Sequence, residues 1–176
     1  YLVVTARGQV SCLAEKVSAS LASTGTPSYF EPFSESAAGS LANTNPPDRV
    51  LVVATGSDVA STLSQLDRAV PAGTDIDIIA PLTAVEGLEW DRGGSLLPIV
   101  LDQDEYDATA EMLVALAMGD AVLCGIESLM GFTASDFVKD HPKGSLGASI
   151  SKQQEAGRAE QTNYLDPSEQ ALECLV

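Results

Sequence analysis

Three segments of this chain gather residue types that can bind or transform a small anion. The first is Ala54-Thr55-Gly56-Ser57-Asp58-Val59-Ala60-Ser61-Thr62, which follows a β-branched run and opens a helical one. Gly56 lets the backbone approach a ligand, and Thr55, Ser57, Ser61 and Thr62 offer hydroxyls. The helix start adds N–H donors and a partial positive charge, which together suit a phosphate. Ser57 and Asp58 carry a second reading as helix caps, because their side chains also satisfy the first N–H groups of a helix. The second segment is Ala6-Arg7-Gly8-Gln9-Val10-Ser11. It has one glycine and no lysine, so it matches neither a Walker loop nor a dinucleotide fingerprint. Gln9 and Ser11 are its candidate ligand contacts. The third, Leu101 to Thr109, contains Asp102, Asp104, Glu105 and Asp107 and reads as a solvated, acidic helix start. Asp120 lies within an apolar helix and reads as a hydrogen-bonded core group. His141, the single histidine, stands between Asp140 and Pro142 at a helix end, a place that suits a structural or a functional role. No Ser/His/Asp spacing suggests a hydrolase. Cys12, Cys124 and Cys174 stand at unrelated spacings, so no metal-ligand cluster and no cofactor are expected.

The elements that position these residues alternate. Leu2-Val3-Val4-Thr5, Ser28-Tyr29-Phe30, Arg49 to Ala54, Asp75 to Ala80 and Leu97 to Leu101 read as strands. The third is apolar almost throughout, as befits a parallel strand buried on both faces, and Pro98 suits a sheet edge. Val10, Leu13, Val17 and Leu21 recur at helical spacing, as do Val59, Leu63 and Leu66. A long helix is expected over about Asp107 to Leu129, with Met112 to Met118 apolar all round and buried against more than one neighbour. A second helix follows over about Thr133 to Asp140. Pro32 to Pro47 reads as a loop with one helical turn near Ser36 to Leu41. From Ser151 the chain turns polar, a linker or an exposed helix. Strands alternating with helices predict an α/β domain with a mostly parallel sheet over residues 1–150, and a polar linker or tail over 151–176.

The chain has 176 residues, of which 45% are hydrophobic, enough for one sizeable core. Nine Lys and Arg face 25 Asp and Glu, a formal net charge of −16. That balance disfavours nucleic acid and anionic membrane surfaces as partners. No uninterrupted apolar run approaches the roughly 18 residues of a bilayer span. An odd cysteine count without a disulfide pattern points to a reducing compartment, and a cytoplasmic location is expected.

Read whole, several segments resemble the sugar isomerase (SIS) domains of the D-arabinose 5-phosphate isomerase type. They are Leu21-Ala22-Ser23-Thr24-Gly25-Thr26-Pro27-Ser28-Tyr29-Phe30, Met118-Gly119-Asp120-Ala121, Gly131-Phe132-Thr133-Ala134-Ser135-Asp136-Phe137 and His141-Pro142-Lys143-Gly144-Ser145-Leu146-Gly147. Their order and spacing fit, over roughly Tyr1 to Ile150. The resemblance implies a three-layer αβα sandwich of Rossmann type with a five-stranded parallel sheet. It also implies a sugar-phosphate site commonly built between subunits, hence a homo-oligomer.

The departures bear on activity. The family's Gly-x-Gly-Lys-Ser-Gly loop is Ala6 to Ser11 here, with Gln9 at the lysine position and Val10 at the serine position. Its His-Gly-Asp-Leu-Gly stretch is Ala38-Gly39-Ser40-Leu41-Ala42, and its Ser-x-Ser-Gly-Glu-Thr loop is Ala54 to Val59 with Asp58 at the glutamate position. Glu111-Met112-Leu113 replaces a Ser-Thr-Thr stretch, and a further glutamate position falls near Val100. Of the groups given acid–base roles, the resemblance leaves His141 intact, with Asp58 as a substitute. Moving a proton between C1 and C2 of a sugar needs a base, an acid and donors for the oxyanion. The expectation is therefore a domain that binds a carbohydrate derivative, a sugar phosphate or a related small molecule, with isomerase turnover reduced. The alternative is a non-catalytic regulatory or scaffold domain.

Overall fold

Five parallel strands form one sheet in the order β2-β1-β3-β4-β5, where β1 is Leu2–Ala6, β2 Ser28–Pro32, β3 Arg49–Val53, β4 Asp75–Pro81 and β5 Leu96–Ile99. The structure is a computed structural model and describes residues 1–34, 38–56, 59–88, 90–101 and 108–162. The helices are α1 (Ser11–Ser23), α2 (Ala38–Leu41), α3 (Val59–Ala69), α4 (Leu82–Val85), α5 (Ala108–Met130), α6 (Ala134–Asp140) and α7 (Ser145–Thr162). The chain divides into two compact units, Tyr1–Gly131 and Phe132–Val176.

Within the first unit the strands are apolar on both faces, and each face has its own core. Val3, Val50, Val52, Ile76 and Ile78 pack with Leu41 of α2, with Val59, Leu63 and Leu66 of α3 and with Val85 of α4. Val4, Ala6, Leu51, Val53, Ile79 and Ile99 pack with Ala14, Val17 and Leu21 of α1 and Ala115 of α5. This is the αβα sandwich with a five-stranded parallel sheet that the resemblance implies. Pro98 lies on the edge strand β5, where a missing N–H costs least.

At the amino ends of the strands, ions pin the sheet. Arg49 donates to Asp77 from Nε at 3.0 Å and Nη2 at 2.9 Å, and to Asp75 from Nη1 at 2.6 Å. Asp77 also accepts the Ser95 N–H at 2.8 Å, tying β3 and β4 to the entry of β5. The fork on Asp77 raises the Arg49 pKa above its ordinary value, against the effect of burial.

Three expectations are corrected. Met112 to Met118 is not buried all round: Leu113 is 64% exposed, and the buried positions of α5 are Glu111, Ala115 and Gly119. These recur every four residues, so the helix meets the domain along one narrow stripe of mostly small side chains. Asp120 is a half-exposed partner of Lys16 on α1, not a core group. Finally, α5 has 23 residues and an 18-residue window of mean hydropathy 1.7, long and apolar enough by length and composition to cross a membrane. Its acidic residues interrupt every continuous run, yet Ala, Leu, Val and Met hold the average high.

In the second unit, Thr133 caps α6. The Asp136 N–H donates to Thr133 Oγ1 at 3.2 Å, and the Thr133 N–H donates back to the Asp136 carboxylate at 3.0 Å, a capping box. The junction expected between Ile150 and Ser151 lies inside α7, so the polar stretch begins as an exposed helix.

Two measurements follow from this packing. A Cβ on Gly119 would lie 2.6 Å from Val17 Cγ2, so Gly119→Ala overpacks the α1–α5 contact. Overpacking costs about 1–3 kcal/mol against a helix-propensity gain of at most about 1 kcal/mol. The melting temperature should fall by about 2–6 °C, and Val17→Ala in the same chain should recover part of it. The second concerns Asp136, whose carboxyl is held at about 2, below the ordinary 3.8, first by the Thr133 hydroxyl and then by Lys139. A carboxyl lowered by folding stabilises above its unfolded value, and that contribution is lost as pH falls through the folded one. The α6 cap is thus at full strength above about pH 4 and is lost toward pH 2. Carboxyl-carbon NMR should give a midpoint near 2 in the native chain and an upward move in Thr133→Ala.

Candidate functional site

The strand order reverses direction between β1 and β3, and in open parallel sheets the crevice outside such a switch point accepts ligands. A cavity of about 310 Å³ opens there. Arg7, Gly8, Gln9 and Val10 line it from the turn after β1, and Val53, Ala54, Thr55 and Gly56 from the end of β3. Thr62 of α3 and Ala108, Glu111 and Met112 of α5 complete the wall. The polar groups are held by short-range constraints. β1 hands directly into a 3-10 turn, Gly8–Val10, whose buried Val10 anchors the loop under α1. Gly56 sits at φ 67°, a left-handed conformation that a side chain would oppose. In that conformation its N–H donates to Glu111 Oε2 at 2.8 Å. Glu111 is 3% exposed and Thr62 1%.

Four of the residues expected from sequence meet here: Gln9, Thr55, Gly56 and Thr62. Ser11 does not line the cavity. Its hydroxyl donates to the Ala6 carbonyl at 3.3 Å and closes the turn at the start of α1. Ser61 is exposed on α3, beside Thr62 in sequence but not on the cavity wall. Ser57 and Asp58 lie outside the described residues, as do Asp102, Asp104, Glu105 and Asp107. Val100, at the expected glutamate position, is 68% exposed after β5.

His141 belongs to the second unit. Its ring stacks on Phe137 with centroids 4.3 Å apart and planes at 16°, and Nδ1 lies 3.2 Å from the Phe137 carbonyl. Its own carbonyl accepts the Gly144 N–H at 3.2 Å. A Cβ on Gly147 would come within 2.5 Å of that carbonyl oxygen, which explains the glycine at that place in the His-Pro-Lys-Gly-Ser-Leu-Gly run.

Two charged cavity residues escaped the sequence reading. Arg7 brings a cation to the wall two residues before Gln9, and its signal was its being the single basic residue of the first loop. Glu111 brings a buried carboxylate, and its signal was an acid in the first turn of the helix, just before the apolar stretch Met112 to Met118. Among the described residues, no group of three or more His, Cys, Asp or Glu side chains is placed to hold a metal ion. The wall therefore offers one cation, an amide, two threonine hydroxyls and one carboxylate, a set that suits a small polyhydroxylated ligand.

No protein-family model matches the chain. It is 31% identical over 157 residues to arabinose 5-phosphate isomerase GutQ of Escherichia coli (strain K12), a match covering 85% of this chain and 47% of that protein. It is 29% identical over 156 residues to arabinose 5-phosphate isomerase KdsD of Pseudomonas aeruginosa, covering 85% and 46%. The chain thus spans about half the length of the curated relatives it matches. Its fold is similar to that of an Escherichia coli CFT073 protein solved in complex with arabinose 5-phosphate, at 24% identity and a TM-score of 0.59, covering 80% of this chain and 76% of that one.

Proposed function

Because the chain is an SIS domain of the arabinose 5-phosphate isomerase type, we propose that it binds a carbohydrate derivative, a sugar phosphate or a close relative, in the cavity at the ends of β1 and β3. The observation that carries this reading is the convergence of Arg7, Gln9, Thr55, Gly56 and Thr62 on one wall at the switch point. The phosphate is assigned to the Thr55–Thr62 loop, where Ser57 and the start of α3 supply donors. Arg7 supports this by offering the cation that Gln9 no longer provides. The protein is proposed to be soluble and cytoplasmic, and to work without a cofactor.

Turnover in this reading is reduced. An aldose–ketose isomerase needs an acid–base pair and a group to steady the enediolate oxyanion, and losing one general base typically costs about 10² to 10⁴ in rate. Here Gln9, Val10, Ala38 and Ser40 replace family groups of other chemistry, and Asp58 replaces a glutamate with a carboxylate one methylene shorter. His141 and Asp58 are the residues proposed to carry what proton transfer survives. A regulatory, non-catalytic role is the second reading. Glu111 favours it, because a buried carboxylate on the cavity wall opposes an anionic substrate.

A screen of sugars and sugar phosphates by thermal shift, followed by calorimetry, tests the proposal. A ligand that binds the folded chain raises its melting temperature by mass action. Ser57→Asp should abolish phosphosugar binding by adding a carboxylate beside Asp58. His141→Ala should leave binding in place and remove residual turnover. Gln9→Lys with Asp58→Glu should tighten binding. If neither the native chain nor that double variant gives ligand heat, the scaffold reading replaces this one.

We further propose that the chain self-associates through α5. Leu113 is 64% exposed, and 11% of the most apolar window of α5 is buried within the chain. Sedimentation at micromolar concentration should give at least a dimer mass, and Leu113→Lys should shift it toward monomer. A monomer mass for the native chain rejects this.

A further inference from the structure

We propose that Glu111 is a built-in competitor for the ligand's phosphate: it occupies the Gly56 N–H of the phosphate loop, so the native cavity discriminates against phosphorylated ligands in favour of ones that present a hydroxyl there. The inference rests on the carbohydrate-phosphate reading of the cavity and narrows its specificity.

Three observations converge on Glu111. Its Oε2 accepts the Gly56 N–H at 2.8 Å, the backbone donor that the left-handed turn at Gly56 offers at the end of β3. The side chain is 3% exposed, on the wall of the 310 Å³ cavity beside Thr55 and Thr62. Among the described residues no lysine, arginine or histidine forms an ion pair with it. Among the described residues, therefore, Glu111 sets a carboxylate without an ion-pair partner at the loop proposed to take an anion.

The physical consequence is direct. One N–H makes one strong hydrogen bond, so a phosphate oxygen can take it only by displacing Glu111. The displaced carboxylate then lies close to the incoming phosphate, and like charges at short range repel. It also loses that donor, which a buried charge tolerates poorly. A sugar hydroxyl meets the opposite situation, because it donates to the carboxylate oxygens and leaves the Gly56 bond intact. Arg7 is exposed on the same wall, where its charge offers some compensation without pairing with Glu111.

The test uses the full chain and three probes: arabinose 5-phosphate, inorganic phosphate and unphosphorylated arabinose. Each is titrated by calorimetry and by amide NMR into the native protein, Glu111→Gln and Glu111→Ser. Glu111→Gln keeps the size and the acceptor and removes the charge, which guards against a merely unfolded variant; Glu111→Ser frees the Gly56 N–H. Both variants should bind the two phosphate probes about tenfold more tightly or better. Arabinose should gain nothing. The Gly56 amide should move on phosphate addition in Glu111→Ser and stay in place in the native chain. Equal or weaker phosphate binding by folded variants overturns the competitor role. If the native chain binds arabinose 5-phosphate equally well in that case, the proposed function stands without it. If no chain binds any of the three probes, both fall.

Discussion

Parallel pairing of β1 with β3 is the constraint on which the rest of this domain depends. A central parallel strand is covered on both faces, so Val3, Val4, Val50, Leu51, Val52 and Val53 must all be apolar. Polar groups are thereby driven to the two ends of the strands. At the amino end they become the Arg49, Asp75 and Asp77 cluster, and at the carboxyl end they become the cavity wall. Five strand residues span about 16 Å, which keeps the two polar regions apart. Right-handed crossovers then place α1 and α3 on opposite faces, so the turns that leave β1 and β3 diverge and leave space between them.

Much of this was legible in the residues. The period-two and near-continuous apolar runs marked all five strands to within about two residues, and Val59, Leu63 and Leu66 marked α3. The switch-point cavity follows from strand order, which the residues do not state, because no local pattern says that β1 lies between β2 and β3. What escaped depends on tertiary context. α4 is four residues long, too short for a periodic signal. The mostly exposed surface of α5 escaped because hydropathy reports what a side chain prefers, not how much protein lies beside it. The narrow buried stripe of Glu111, Ala115 and Gly119 could be read only once Val17 was known to face it. On its own, an acid one position before Met112 looked like a lost hydroxyl and not like a group reaching back to Gly56.

The same hydrogen bond explains why the loop after β3 and the start of α5 act as one unit of the site. A left-handed glycine turns an N–H inward, and a side chain from an element more than fifty residues later satisfies it. Such a contact stabilises the loop, since a buried donor without a partner is costly. It also couples the geometry of the loop after β3 to the seating of α5, which rests on Val17 of α1 through Gly119. The residues that pack the helix thus help decide where the carboxylate lies.

The Arg49 cluster has a consequence for how this sequence can drift. Exchanges among the exposed polar side chains of the cavity wall, such as Arg7 and Gln9, therefore draw little on the stability of the fold. A lineage carrying this domain can abandon one chemistry residue by residue, and acquire another, while each intermediate still folds.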